Sequence, residues 1–224
     1  MNDLTTQINS QFRKLTNLAK SKILLTIFYT VGAVVAFTPL NQLLLPFTPF
    51  LLFSSFVILL SFEEKKNLVF AIWLLFTYCS SFFIEWHGVH FGVLFGDYIY
   101  LNNLGFKIDG VPFLIPINWI ILAIAGVELS KTTLKKLPLF FQVILSSFIV
   151  VMLDVLIEIV CEPLGFWQWD NGMPPFKNYF SWWFFMCIFI YLKLKFLDSK
   201  NPLSIYLFIL FFGYFFFQVI ASLL

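Results

Sequence analysis

Apolar runs of roughly 18 to 20 residues recur along the chain, each long enough to cross a bilayer as a helix. They divide the sequence into seven predicted spans, at about 22–40, 43–62, 67–84, 111–129, 138–160, 182–197 and 202–224. Composition agrees: 60% of the 224 residues are hydrophobic and 12% are charged, about half the charge of an ordinary soluble domain. The expected fold class is therefore all-α, a polytopic membrane protein. The first span is not a cleavable signal, because no small-residue site precedes the turn at Pro39. Pro46 and Pro49 fall near the start of the second span, where proline is tolerated. A net charge of +2 argues against a nucleic-acid partner, and Cys79, Cys161 and Cys187 lack paired or metal-type spacing.

Seven spans sort the basic residues by side. Arg13, Lys14, Lys20 and Lys22 of an N-terminal arm (1–21) share one face with the turns carrying Lys65 and Lys66, Lys131, Lys135 and Lys136, and Lys193, Lys195 and Lys200. Only Lys107 and Lys177 lie opposite. The positive-inside rule then places the N-terminus in the cytoplasm and predicts a multi-pass protein of the cell (inner) membrane. The chain reads as a single integral membrane domain, 1–224. Its two long connections, 85–110 and 161–181, lie together on the outer face, where long loops on a compact bundle tend to carry function.

The polar chemistry gathers on that face. Asp154 and Glu158 sit inside an apolar span at i, i+4, hence on one helix side, and Glu162 could extend the stripe. Ionisable groups within a span are costly and usually mark a site. A carboxyl buried in hydrocarbon without a basic partner favours its protonated form, which suits a proton donor. The plainer alternative is that these acids only bond neighbouring helices. Trp86, Trp119, Trp167, Trp169, Trp182 and Trp183 map to the outer half, and Trp73 alone to the inner half. An interfacial belt should populate both sides, so the bias suggests an aromatic-lined cavity suited to a polyene or a carbocation.

Glu85, His87 and His90 invite a metal reading, but two histidines are too few for a membrane di-iron enzyme, and no metal or other cofactor is expected. Gly88, Gly92 and Gly96 recur every four residues, as on a smooth helix face. There is no phosphate-cradling loop and no Ser-His-Asp set.

The stretch from Glu85-Trp86-His87-Gly88 through Gly92, Gly96-Asp97-Tyr98-Ile99-Tyr100, Leu104-Gly105, Gly110-Val111-Pro112, Ile115-Pro116 and Trp119 resembles the membrane carotenoid hydratases, of the bisanhydrobacterioruberin hydratase and gamma-carotene hydratase type. A second block does too: Asp154, Glu158, then Gly165-Phe166-Trp167-Gln168-Trp169, Pro175, Asn178 and Trp182. Ile159 stands where that family often has proline, so the helix is expected to run on to Pro163. The resemblance implies cofactor-independent addition of water across the terminal double bond of an acyclic carotenoid end, lycopene-like or gamma-carotene-like, giving a tertiary alcohol. It implies Asp154, Glu158 and Glu85 as the catalytic acids. Trp86, His87, Tyr98, Tyr100, Trp119, Trp167, Trp169, Asn178 and Trp182 would line the substrate or its cation. Two alternatives stay open: a carotene cyclase, which starts with the same protonation, and a non-catalytic carotenoid-binding or transport protein. The expected partners are the carotenoid and the lipid bilayer.

Overall fold

The structure is a computed structural model and describes residues 15–224; Arg13 and Lys14 of the predicted arm lie outside the described residues. Among the described residues, seven helices are long and apolar enough to cross a membrane: α1 (Asn17–Val35), α2 (Asn41–Ser61), α3 (Leu68–Phe91), α4 (Ile115–Thr132), α5 (Leu139–Val160), α6 (Phe176–Phe196) and α7 (Ser204–Ser222). The chain is an all-α, multi-pass membrane protein with very little sheet.

Local chemistry sets the ends of these helices. Thr16 caps α1 through Ala19 N–H (3.2 Å) and Asn67 caps α3 through Phe70 N–H (3.0 Å), each satisfying an orphan donor of a first turn. Pro46 sits in a 3-10 turn, Leu45–Phe47, that interrupts α2, and Pro49 falls in the first turn of the resumed helix. Pro116 lies in the first turn of α4.

Several predicted boundaries move. Helix α3 does not stop near 84 but continues two turns to Phe91, so Glu85–His90 is helical and the outer connection begins only at Gly92. Gly92 ends the helix in the left-handed region (φ 60°), a conformation that favours glycine. Gly96 lies beyond the helix at φ 117°; the three glycines therefore do not form one helix face. Helix α6 starts at Phe176 rather than 182, which makes Asn178 helical. Helix α1 starts at Asn17, so Lys20 and Lys22 belong to a helix and not to an arm. Helix α5 ends at Val160, short of Pro163.

Helix α4 is the hub, mostly buried and packed against α3, α5, α6 and α7. Gly126 permits this: a Cβ there would strike the Ile190 side chain of α6. Helices α1 and α2 lie at the periphery. At the end of the bundle that carries the long connections, β1 (Tyr98–Tyr100) pairs antiparallel with β4 (Trp167–Trp169), and β2 (Lys107–Ile108) with β3 (Val111–Pro112). The first ribbon joins the two long connections directly, in the register Tyr98↔Trp169 and Tyr100↔Trp167. Strand side chains alternate faces: Tyr98, Tyr100, Trp167 and Trp169 are buried, while Ile99 and Gln168 face outward.

The opposite, basic end holds a buried ion pair that the sequence did not reveal. Lys193 Nζ donates to Glu63 Oε1 at 2.6 Å, and Asn201 Nδ2 donates to Glu63 Oε2 at 3.1 Å. Asn201 N–H also donates to Glu128 Oε2 at 3.0 Å. These contacts join α2, α4, α6 and the start of α7. The Lys193 ammonium also lies over the rings of Phe70 and Trp73. Lys193, grouped by sequence with the basic turn residues, is 1% exposed.

Candidate active site

Four helix ends and the β1–β4 ribbon converge on one small chamber. Helix α3 brings Glu85, α4 brings Ile115 and Asn118, α5 brings Asp154 and Glu158, and α6 brings Asn178 and Trp182. The ribbon closes it with Tyr98, Tyr100, Trp167 and Trp169. The i, i+4 spacing on α5 places both acids on the side facing this space, as the sequence suggested. All three carboxyls are withdrawn from solvent: Glu85 and Asp154 are 2% exposed and Glu158 is 8% exposed.

Each carboxyl is held differently. Glu85 Oε2 accepts from the Tyr98 and Tyr100 hydroxyls at 2.7 and 2.8 Å, and Oε1 accepts from Trp119 Nε1 at 2.9 Å. Glu158 Oε2 accepts from Trp169 Nε1 at 2.7 Å and Trp167 Nε1 at 3.0 Å, and Oε1 accepts from Asn178 Nδ2 at 2.8 Å. The Cys161 thiol adds a weaker donor to Glu158 Oε2 at 3.7 Å. Asp154 is unlike both, for its buried Oδ2 has no hydrogen-bond partner among the described residues. Two carboxyls are thus fixed as acceptors by three strong donors each, and the third has an oxygen free to carry a proton.

Donors around the chamber keep their protons. Burial, with the Glu85 charge beside them, holds the Tyr98 and Tyr100 phenols well above their ordinary range. Burial, followed by the charge of Glu158, pushes the Cys161 thiol up as well.

The tryptophans contribute edges as well as faces. Sequence reasoning assigned them π surfaces; three of them instead spend their indole N–H on the acids. Trp182 lines the chamber without bonding an acid and stacks on Trp119, with centroids 3.7 Å apart and planes within 10°. Gly88, one turn beyond Glu85, has to lack a side chain because a Cβ would run into the Phe95 ring and stand 3.0 Å from the Tyr98 hydroxyl.

Not every expected residue is here. Trp86 and His87 lie outside the chamber. Trp86 Nε1 donates to Asp109 Oδ2 at 2.6 Å, and its ring lies tilted against His90, with centroids 4.6 Å apart. His87 packs its ring on Phe91, 4.8 Å between centroids. The physical reason is the extension of α3: successive residues on a helix turn by roughly 100°, so the two residues after Glu85 face away from it. Glu85, His87 and His90 do not converge; among the described residues no three His, Cys, Asp or Glu side chains are placed to hold one metal ion. Glu162 leaves the acid stripe for the surface, accepting from Gln168 Nε2 at 2.8 Å. Conversely, Asn118 went unnoticed, although a lone amide in the first turn of an apolar span was a usable signal.

Open space at the centre amounts to about 20 Å³ for the centre of a water molecule, and roughly 10–15 Å³ suffices for one water. Beyond Ile115, Asn118 and Trp167, which form its wall, lies a second and apolar cavity bounded by Tyr29, Leu51, Ile157, Phe211 and Tyr214. A polar chamber of one-water size therefore abuts an oily one.

The family described as "Carotenoid biosynthesis protein" matches residues 42–224, most of the chain and all of the chamber. The chain belongs to this family. No curated protein and no solved structure gives a match. Membership assigns the protein a part in carotenoid biosynthesis and makes carotenoid and lipid its natural partners.

Proposed function

We propose that this family member is a carotenoid hydratase, adding water to the terminal carbon–carbon double bond of an acyclic carotenoid end to give a tertiary alcohol. The observation that carries the reading is the division of labour among three buried carboxyls beside an oily cavity. Asp154 is the general acid. It delivers its proton to the less substituted alkene carbon, the π electrons form the new C–H bond, and positive charge is left on the tertiary carbon. Glu85 and Glu158, already held as acceptors, stabilise that charge without reorganising, and the Trp182 and Tyr98 ring faces assist. A water in the chamber, oriented by the Asn118 amide, gives its lone pair to the cation. The proton that this water sheds returns to Asp154 by way of the neighbouring carboxylates, so the cluster ends with the protons it began with.

Hydration is favoured over cyclisation by the chamber itself. A cyclase has to keep water from the cation, whereas here the polar space borders the end of the apolar cavity. A purely binding protein would have no use for three acids in one buried cluster.

Expression in cells that accumulate lycopene, followed by mass analysis of the extracted pigment, tests the assignment. A gain of one water mass per modified end is the expected result. Pigment of unchanged mass and altered retention would assign cyclisation, and unchanged pigment would withdraw the enzyme reading.

A further inference from the structure

The one-water chamber cannot hold the length of a polyene, so all but the reacting end of a long substrate has to lie beyond it. Ile115, Asn118 and Trp167 line both this chamber and the apolar cavity beside it. That cavity shares Thr48, Leu51 and Tyr214 with a third, roomier one of about 390 Å³ for water centres, set between α1 and α2. The three spaces are thus joined in series by common walls. The last is flanked by Ile27, Val31, Phe47 and Phe50, which are 48% to 67% exposed. On membrane-spanning helices, large apolar side chains exposed to this degree face hydrocarbon and not water.

We infer that the carotenoid enters sideways from the bilayer between α1 and α2 and lies in this passage, its reactive end at Asn118, with Gly32 and Tyr214 forming the neck. The identity of the chain rests on the hydratase reading; the passage rests on the cavities alone. Gly32 packs directly on this tyrosine: a Cβ there would stand 2.8 Å from Cε2 of Tyr214. The ring of Tyr214 is in turn framed by Tyr29, 6.0 Å away edge-on, and Phe215 at 5.1 Å. Aromatic faces along an apolar path suit a conjugated chain, which has no polar group to satisfy. By contrast, the groove between α2 and α3 lined by Phe53, Leu74 and Ile117 shares no wall with the acid chamber or its neighbour, and a chain lying there would leave its end short of the acids.

The test measures binding in lipid nanodiscs, independently of conversion. Gly32→Leu fills the neck and is expected to weaken lycopene binding at least tenfold, while a ten-carbon acyclic terpene with the same isopropylidene end, short enough when bound to lie wholly in the inner cavity and leave the neck empty, keeps its equilibrium affinity. Unaltered lycopene binding by a folded Gly32→Leu protein overturns the passage. A second measurement does not depend on that variant folding. In a Cys79→Ser background, Val31→Cys is labelled with a membrane-soluble maleimide, and lycopene should slow the reaction several-fold. Ile72→Cys, on the exposed face of α3, should be labelled at the same rate with or without pigment. Equal rates at Val31→Cys with and without lycopene also overturn the passage. Protection at Val31→Cys with pigment recovered unhydrated keeps the passage and removes the hydratase; hydration without protection does the reverse. A wild-type protein that binds no lycopene removes both.

Discussion

Replacing Asp154 by Asn tests the proposed chemistry most directly. The two side chains are nearly isosteric, but an amide has no acidic proton to give. Asp154 Oδ2 has no hydrogen-bond partner among the described residues to lose, and the cost to the fold is at most that of one unpaired buried polar group, about 1–3 kcal/mol. The cost to catalysis should be larger. General acid catalysis contributes about 10²–10⁴ in rate, which is about 2.7–5.4 kcal/mol in the barrier. Single-turnover conversion of lycopene in nanodiscs, followed by mass, separates this from binding: Asp154→Asn should retain pigment and hydrate it 10²–10⁴-fold more slowly. Asp170→Asn and Glu162→Gln, both at the surface, should stay within a few-fold of wild type. Glu158→Gln keeps its geometry, since Asn178 can turn its amide to accept from the new NH₂ while both indoles keep an oxygen, so its loss reports the missing charge. If Asp154→Asn hydrates within tenfold of wild type, the donor is misassigned; if Glu158→Gln is also near normal, the acid mechanism fails.

Three further outcomes follow from the same geometry. Lys193→Met leaves Glu63 charged and buried with only Asn201 as a side-chain donor, so it should destabilise the protein by about 3–5 kcal/mol; Glu63→Gln in the same chain should recover much of that in thermal unfolding, and strictly additive losses would refute the pairing. Tyr98 and Tyr100 hold their protons more tightly folded than unfolded, so their stabilisation is complete below the ordinary phenol value of about 10 and falls as pH rises past it, by up to about 1.4 kcal/mol per pH unit for each. Thermal stability measured through the alkaline range should therefore decline less steeply in Tyr98→Phe/Tyr100→Phe. A reporter fused after Leu224 and a tag in the turn at Lys135 should read on opposite sides of the membrane, the second cytoplasmic; matching sides would break the seven-span topology.

How far the sequence could be read depended on which force set each feature. Burial in hydrocarbon dictates long apolar runs, and these announced all seven spans and, through i, i+4 spacing, the shared face of Asp154 and Glu158. Helix ends are set by single contacts, and there the reading slipped. Glu85 and the two histidines look like loop chemistry by polarity, yet α3 carries Glu85 inward because its charge is met by Tyr98, Tyr100 and Trp119, residues 13 to 34 positions away. Once that stretch is helical, adjacency in sequence becomes separation in space, and Trp86 and His87 turn from the site while Gly88 returns to it. The ribbon was hidden for a related reason: Tyr98-Ile99-Tyr100 and Trp167-Gln168-Trp169 alternate over only three residues each, too short for period alone to identify a strand. Their pairing is nonetheless what aims two phenols and two indoles at two carboxylates from above. Lys193 shows the limit from the other side. A lysine near a span's end is equally consistent with a snorkelling charge and a buried one, and only Glu63, 130 residues earlier, decides between them.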